Sequence, residues 1–302
     1  MKHETRIVLI LLLMFIATQL IGLSVIDSYA PKTTSAIVNG TLMNVTVAKE
    51  IPYGMQPPEV KPQVSLLSIV ISLAIAILIF FLLTKLKARI VLKTWFVLVI
   101  YITVAVALAA ILSRITGIDA NALALVLAIP LTFFKAIRPN MIVHNATELL
   151  IYPGLAAVFV PILRIWSIIV LLLLISVYDM WAVWKSTLMV KMAKYQIENL
   201  KIFTGFFIPY LPKGARIVHG KAKGKKVKVS IALLGGGDVA FPLIFAGVIY
   251  RAAGLIPALI IIAGATLSLL LLFMFSKKGK FYPAMPFITS GCLLAYLISL
   301  LV

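Results

Sequence analysis

The sequence has few residues of the kinds that build disulfide, thiolate and metal sites. It contains one cysteine and three histidines among 302 residues. The single cysteine, Cys292, cannot form an intrachain disulfide or a thiolate metal cluster. The histidines His3, His144 and His219 are far apart, and the His-Glu-x-x-His pattern of zinc protease helices does not occur. We therefore expect no disulfide scaffold, no metal centre and no cofactor.

Acidic residues are also scarce, since nine Asp and Glu stand against 28 Lys and Arg. In a soluble protein the net charge of +19 would suggest a nucleic acid partner. Here, however, 63% of the residues are hydrophobic, and the basic residues lie almost entirely in segments beside apolar runs. Anionic membrane lipids are the simpler partner for this charge, and we expect no nucleic acid partner.

Apolar runs of about twenty residues, the length that crosses a hydrocarbon core of ~30 Å, recur along the whole chain. We predict an all-α membrane protein that forms one membrane-embedded domain with nine transmembrane helices. It has an N-terminal part with six spans (1–184), a basic loop (185–230) and a C-terminal part with three spans (231–302). The predicted spans cover about 7–26, 64–84, 94–113, 119–134, 149–163, 165–184, 231–250, 254–276 and 281–301.

The distribution of Lys and Arg predicts the orientation of these spans. With a cytoplasmic N-terminus, 22 of these residues fall in inside segments and six in outside segments. Because cytoplasmic loops carry the excess of Lys and Arg, the N-terminus should be cytoplasmic and the C-terminus external. Removing one span would place the loop 185–230 and the basic cluster at 277–280 on opposite faces. We therefore expect an odd number of spans and a multi-pass protein of the cell membrane.

Two carboxylates, Asp179 and Asp238, lie well inside predicted spans. A charged side chain at the centre of a membrane helix costs about 2.5–3.5 kcal/mol on insertion scales, so such residues usually serve a site, a relay or an ion path. The two spans are consecutive and antiparallel, and at ~1.5 Å per residue both carboxylates lie roughly 9–12 Å below the cytoplasmic face. At equal depth they could share a proton and a water molecule.

In such a pair one carboxylate ionises and the other stays protonated, because like charge and desolvation disfavour the second ionisation. The ionised group can activate a water that attacks a peptide carbonyl, while the protonated group gives its proton to the carbonyl oxygen. A glycine run, 235–237, precedes Asp238 and would let another backbone approach closely. The segment 283–286, Pro-Ala-Met-Pro, predicts a broken helix start near the same depth.

These elements resemble the motifs of the presenilin and signal peptide peptidase family of intramembrane aspartyl proteases. Tyr178-Asp179 resembles its YD motif, 235–238 its GxGD motif, and 283–286 its PAL motif, with Met285 where leucine is usual. The resemblance implies that Asp179 and Asp238 are catalytic and that the substrates are transmembrane proteins. It is greatest to a microbial, archaeal-type presenilin homologue, and it leaves a homo-oligomer open. The residues that it implies to shape the site are Tyr178, Gly235, Gly236, Gly237, Pro283, Ala284, Met285 and Pro286.

A second class of function is compatible with the same two aspartates. In an ion or proton-coupled transporter or channel, Asp179 and Asp238 would bind a cation or proton, and the glycine and proline breaks would mark discontinuous helices. Corresponding broken segments in two halves of the chain would favour a transporter, and we find none. The sequence therefore favours the protease and retains the transporter as the alternative.

Overall fold

The structure is a computed structural model that describes residues 5–38, 41–47, 50–55, 65–86, 88–137, 140–185, 204–210, 230–276 and 282–301. Within these ranges the chain forms nine α-helices and two antiparallel sheets of two strands each. The helices are α1 (Thr5–Tyr29), α2 (Ser65–Lys85), α3 (Arg89–Thr116), α4 (Asn121–Ile137), α5 (Met141–Phe159), α6 (Ile165–Trp184), α7 (Gly236–Ala253), α8 (Leu255–Phe275) and α9 (Met285–Ser299). The strands are β1 (Lys32–Val38), β2 (Thr41–Val47), β3 (Gly205–Tyr210) and β4 (Ser230–Gly235).

Six of the described helices, α1, α3, α5, α6, α7 and α8, are long and apolar enough to cross a membrane. Helices α4 and α9 are also apolar but have 17 and 15 residues. The protein is thus a multi-pass helical membrane protein, while the count of nine spans and the orientation stay predictions. Most of the predicted basic loop 185–230 lies outside the described residues.

Helix α7 is the central element of the fold. Ten of the eleven residues from Val239 to Ile249 are buried, and the helix packs against α1, α5, α6, α8 and α9. A helix that is apolar around its whole circumference is enclosed by other helices. Gln19 of α1 also donates a hydrogen bond to the Val239 carbonyl at 3.0 Å. The N-terminal end of α7 is therefore held between its neighbours.

Helices α8 and α9 cross at a contact between two glycines. A Cβ atom added to Gly291 would lie 2.6 Å from the Gly264 carbonyl oxygen, and one added to Gly264 would lie 2.6 Å from the Gly291 carbonyl oxygen. Small residues let membrane helices approach this closely. The crossing fixes α9, and with it the segment 283–286, against α8.

The prediction of a helix from 231 to 250 is wrong for its first residues. Residues 230–235 form β4, which pairs with β3 from Gly205↔Gly235 to Tyr210↔Ser230. Side chains alternate along β4, with Ala232 and Leu234 buried and Ile231 and Leu233 about half exposed. The glycine run that follows disfavours a longer helix. The all-α prediction also omitted this sheet, whereas β1 and β2 lie in the segment 27–63, which we expect to be extended or weakly stranded.

Three other helix starts differ from the prediction by four residues or more, and the first is that of α3, which begins at Arg89 rather than 94. Helix α5 begins at Met141 rather than 149. The polar residues His144, Asn145 and Glu148 precede the predicted span, but they are buried within the helix. Helix α9 begins at Met285 rather than 281, and the proline at its second position suits a first turn that needs no N–H donor there. Buried polar residues thus account for the earlier start of α5, and a proline for the later start of α9.

We expect Gly291→Ala to destabilise the fold by about 1–3 kcal/mol, because the added methyl would overlap the α8 backbone. The midpoint of thermal unfolding in detergent should fall. The control is Ser290→Ala, since Ser290 is exposed and its hydroxyl bonds only to Pro286 in its own helix. Equal midpoints for the two variants would contradict the close crossing.

Candidate active site

Asp179 lies near the C-terminal end of α6 and contacts the start of α9. Its Oδ2 accepts a hydrogen bond from the Met285 backbone N–H at 3.1 Å, and the Ala284 backbone is a second hydrogen-bonding neighbour. The first N–H groups of a helix have no acceptor within that helix. The carboxylate therefore satisfies the start of α9, and the positive end of the helix dipole favours an anion there.

A second contact joins α6 and α9 one turn away from Asp179. The hydroxyl oxygens of Ser176 and Thr289 are 2.8 Å apart, and both side chains are buried. In a membrane interior such a bond between hydroxyls helps to fix two helices in register. Asp179 is therefore held on α6 at a defined distance from the α9 start.

Asp238 lies in the first turn of α7. Gly235 is the N-cap residue, so Asp238 is the third helical residue, and its carboxylate lies close to the Gly235 Cα. An acidic side chain in the first turn is favoured by the positive end of the helix dipole. The sequence placed Asp238 about two turns inside a helix, and the structure corrects this because β4 replaces the first part of that predicted helix.

The three glycines before Asp238 have different surroundings. A Cβ atom on Gly235 would lie 2.9 Å from Asp238 Oδ2, and one on Gly236 would lie 2.8 Å from the Tyr152 hydroxyl oxygen. A Cβ atom on Gly237 would meet only the Phe241 ring, at 3.6 Å. Space thus restricts Gly235 and Gly236, whereas Gly237 is exposed.

The predicted site residues converge where α6 ends and α7 and α9 begin. Asp179 and Asp238 are both half-buried, and their helices α6 and α7 pack on each other. Pro283 and Met285 are buried beside them at the α9 start. Tyr178 differs, because its side chain is 45% exposed and packs on Trp181 of the same helix.

Sequence reasoning missed Tyr152, a residue of α5 that borders the site. Its side chain is 3% exposed and lies beside Gly236, and its hydroxyl has no hydrogen-bond partner among the described residues. A signal was present, because His144, Glu148 and Tyr152 recur at four-residue intervals and therefore share one helix face. Polar residues on one face of a membrane helix indicate contacts inside the bundle.

The site contains the groups for acid–base chemistry on a water molecule. Asp179 and Asp238 are half-buried carboxyl groups on packed helices, and carboxyl groups that lie close together in a partly water-excluded place can share one proton. Within the described ranges no group of three or more His, Cys, Asp or Glu side chains could hold a metal ion.

A comparison with protein families decides the class of this molecule. Residues 36–302 match the family described as signal-peptide peptidase, presenilin aspartyl protease. The chain belongs to this aspartyl protease family. This membership makes the protein an enzyme.

Solved structures give the same answer for the fold of this presenilin-family protein. One structure of a presenilin family intramembrane aspartate protease has 20% sequence identity and a TM-score of 0.62, and covers 97% of this chain and 98% of that one. A structure of such a protease in another space group has 20% identity and a TM-score of 0.59, and covers 96% of each chain. No curated protein matches the sequence significantly. At this identity the likeness establishes the fold, over nearly the whole chain.

The glycine geometry predicts different effects at neighbouring positions. Gly235→Ala should displace the Asp238 carboxylate and lower the cleavage rate of a reconstituted single-span substrate by about 10–100-fold, since small misplacements of reacting groups are costly. Gly237→Ala is the matched control, and its thermal unfolding midpoint should equal that of the wild type. Equal cleavage rates in the two variants would show that the space around Gly235 does not matter.

Proposed function

We propose that this aspartyl protease cleaves transmembrane segments of other membrane proteins and that Asp179 and Asp238 form its catalytic dyad. The observation that carries the proposal is that α6, α7 and α9 pack on one another, with Asp179 bonded to the start of α9 and Asp238 in the first turn of α7. The ionised aspartate removes a proton from water, and the hydroxide attacks the peptide carbonyl. The protonated aspartate gives its proton to the carbonyl oxygen, so a gem-diol forms without a covalent enzyme intermediate.

The β3–β4 hairpin supplies a surface on which an unwound substrate segment can bind. Phe207 donates its N–H to the Asn145 side chain at 3.2 Å and accepts a hydrogen bond from it at 2.9 Å. Because both backbone groups of Phe207 point away from β4, the pair Phe207↔Leu233 is a non-hydrogen-bonded pair of the ladder. The N–H and C=O of Leu233 therefore point away from β3.

The outer edge of β4 is thus open at Leu233 and, two residues earlier, at Ile231. No other residue within the described ranges hydrogen-bonds these outward groups. An unpaired strand edge is not stable in lipid, so this edge needs water or another strand. An extended substrate segment that pairs with it would run towards Gly235 and the two aspartates, and pairing with a sheet edge recognises backbone rather than sequence.

The membrane setting follows from charge and hydropathy. We place the protein in the cell membrane with its N-terminus in the cytoplasm and its C-terminus outside, since 22 of 28 Lys and Arg residues then lie in loops or at helix ends on the cytoplasmic side. The basic segment 185–230 would lie at the anionic lipid surface on that side. The carboxylates would then receive water from the cytoplasmic side.

The dyad is tested by isosteric substitutions. Asp179→Asn and Asp238→Asn should each lower cleavage of a reconstituted single-span substrate by at least about a thousandfold, because an amide cannot act as acid or base. Thermal unfolding should show that both variants are folded, and a hydroxyl-containing peptide mimic of the gem-diol should block the wild type. Cleavage that persists in either variant would refute the dyad.

The open edge is tested at Leu233. Leu233→Pro removes the outward N–H without removing a ladder bond, since proline is accepted at edge positions of this kind. We expect KM for the substrate to rise by about fivefold or more, as expected for a lost backbone hydrogen bond. Leu233→Ala is the control for the lost side chain, and KM values that agree between the two variants would contradict substrate pairing at this edge.

A further inference from the structure

The outer edge of β3 is occupied by two side chains of α5. Asn145 makes two hydrogen bonds to Phe207, one to its N–H and one to its C=O. His144 Nε2 lies 2.8 Å from the Gly205 carbonyl oxygen. The next outward position on this edge is Pro209, which has no N–H. Of the outward residues of β3, Gly205 and Phe207 are thus hydrogen-bonded to α5, and Pro209 has no N–H donor. The free edge of this sheet is therefore the edge of β4.

His144 is itself oriented by buried charged groups. A carbonyl oxygen can only accept, so Nε2 carries the proton, and the neutral ring then presents Nδ1 as an acceptor. Lys135 Nζ lies 3.4 Å from this Nδ1 and also pairs with Glu148. The side chains of Lys135 and Glu148 are 2% and 0% exposed. The His144 ring in addition packs on Phe207, with centroids 4.8 Å apart.

Two turns beyond His144 on α5, Tyr152 extends the same contact to the start of α7. Its ring meets the Phe206 ring edge-on, with centroids 5.7 Å apart and planes at 70°. Phe206 is fully buried, and the Tyr152 hydroxyl lies beside Gly236. One face of α5 thus contacts the hairpin at β3 and again where β4 passes into α7.

The cost of this arrangement argues against a role in stability alone. Burying a Lys–Glu pair often gains nothing over apolar residues of the same volume, and membrane helices favour the apolar choice. The polar residues of α5 between 144 and 152 face the hairpin. The hairpin is the part of the site whose backbone is not fixed by the hydrogen bonds of a helix.

We propose that His144 and Asn145 are positioning residues that hold β3 rigid, so that β4 presents its free edge to the substrate in line with Asp238. The proposal rests on the proposed protease function and deepens it. The Lys135–Glu148 pair orients His144, and Asn145 makes the two-point contact that blocks the competing edge. Neither His144 nor Asn145 touches the reacting atoms.

The test compares Asn145→Leu with Thr147→Val. Leucine is close to asparagine in size and suits a membrane helix, but it cannot hydrogen-bond Phe207. Thr147 is equally buried in α5, and its hydroxyl bonds only to its own helix at Val143 and His144. Both variants lose buried hydrogen bonds, but only Asn145→Leu loses bonds to the hairpin.

Two readouts separate positioning from stability. In Asn145→Leu, amide hydrogen exchange of the 205–210 segment should quicken and KM for a reconstituted single-span substrate should rise, each by about fivefold or more. Thr147→Val should change neither, even where its unfolding midpoint falls equally. Asn145→Gln, which keeps donor and acceptor, should recover part of the KM loss.

Exchange or KM in Asn145→Leu that matches Thr147→Val would overturn the proposal. Failure of the protease function would be seen separately, as a wild type that does not cleave or as cleavage that survives loss of either aspartate. The exchange comparison does not depend on cleavage, so it still decides whether Asn145 holds β3.

Discussion

The backbone N–H groups at a helix start need acceptors, and inside a membrane little water is present to provide them. Here Asp179 accepts a hydrogen bond from the Met285 N–H at the start of α9, and Asp238 is the third residue of α7. Both carboxylates thus lie at helix starts, where free N–H groups and the positive end of the helix dipole favour an anion. The Gly264–Gly291 crossing matters to the site although neither glycine contacts an aspartate, because it sets the position of α9 against α8.

The hairpin follows from the same requirement. A strand in a membrane protein must find partners for its backbone on both sides, and β3 finds them in β4 and in the side chains of α5. Strand β4 has a partner on one side only. The site therefore combines two carboxylates fixed at helix ends with one strand edge that is complete only when water or another chain covers it.

The sequence predicted the two aspartates, the glycine run and the segment 283–286 as one site because each departs from the apolar pattern of a membrane helix. It could not predict β3 and β4. The run 231–234 is apolar, and hydropathy does not distinguish a buried strand from a buried helix. It also misplaced the start of α5, because His144 and Glu148 look like loop residues until Gly205, 61 residues away, and Lys135 on the preceding helix are brought beside them.

The Lys135–Glu148 pair has a consequence for how the chain enters the bilayer. Either charge alone in a membrane helix costs about 2.5–3.5 kcal/mol, whereas the paired charges are largely neutralised. The two residues lie on consecutive helices, α4 and α5, separated by a short connection. Helices α4 and α5 therefore insert into the bilayer more favourably together, as a pair of antiparallel helices in one step, than one after the other during synthesis.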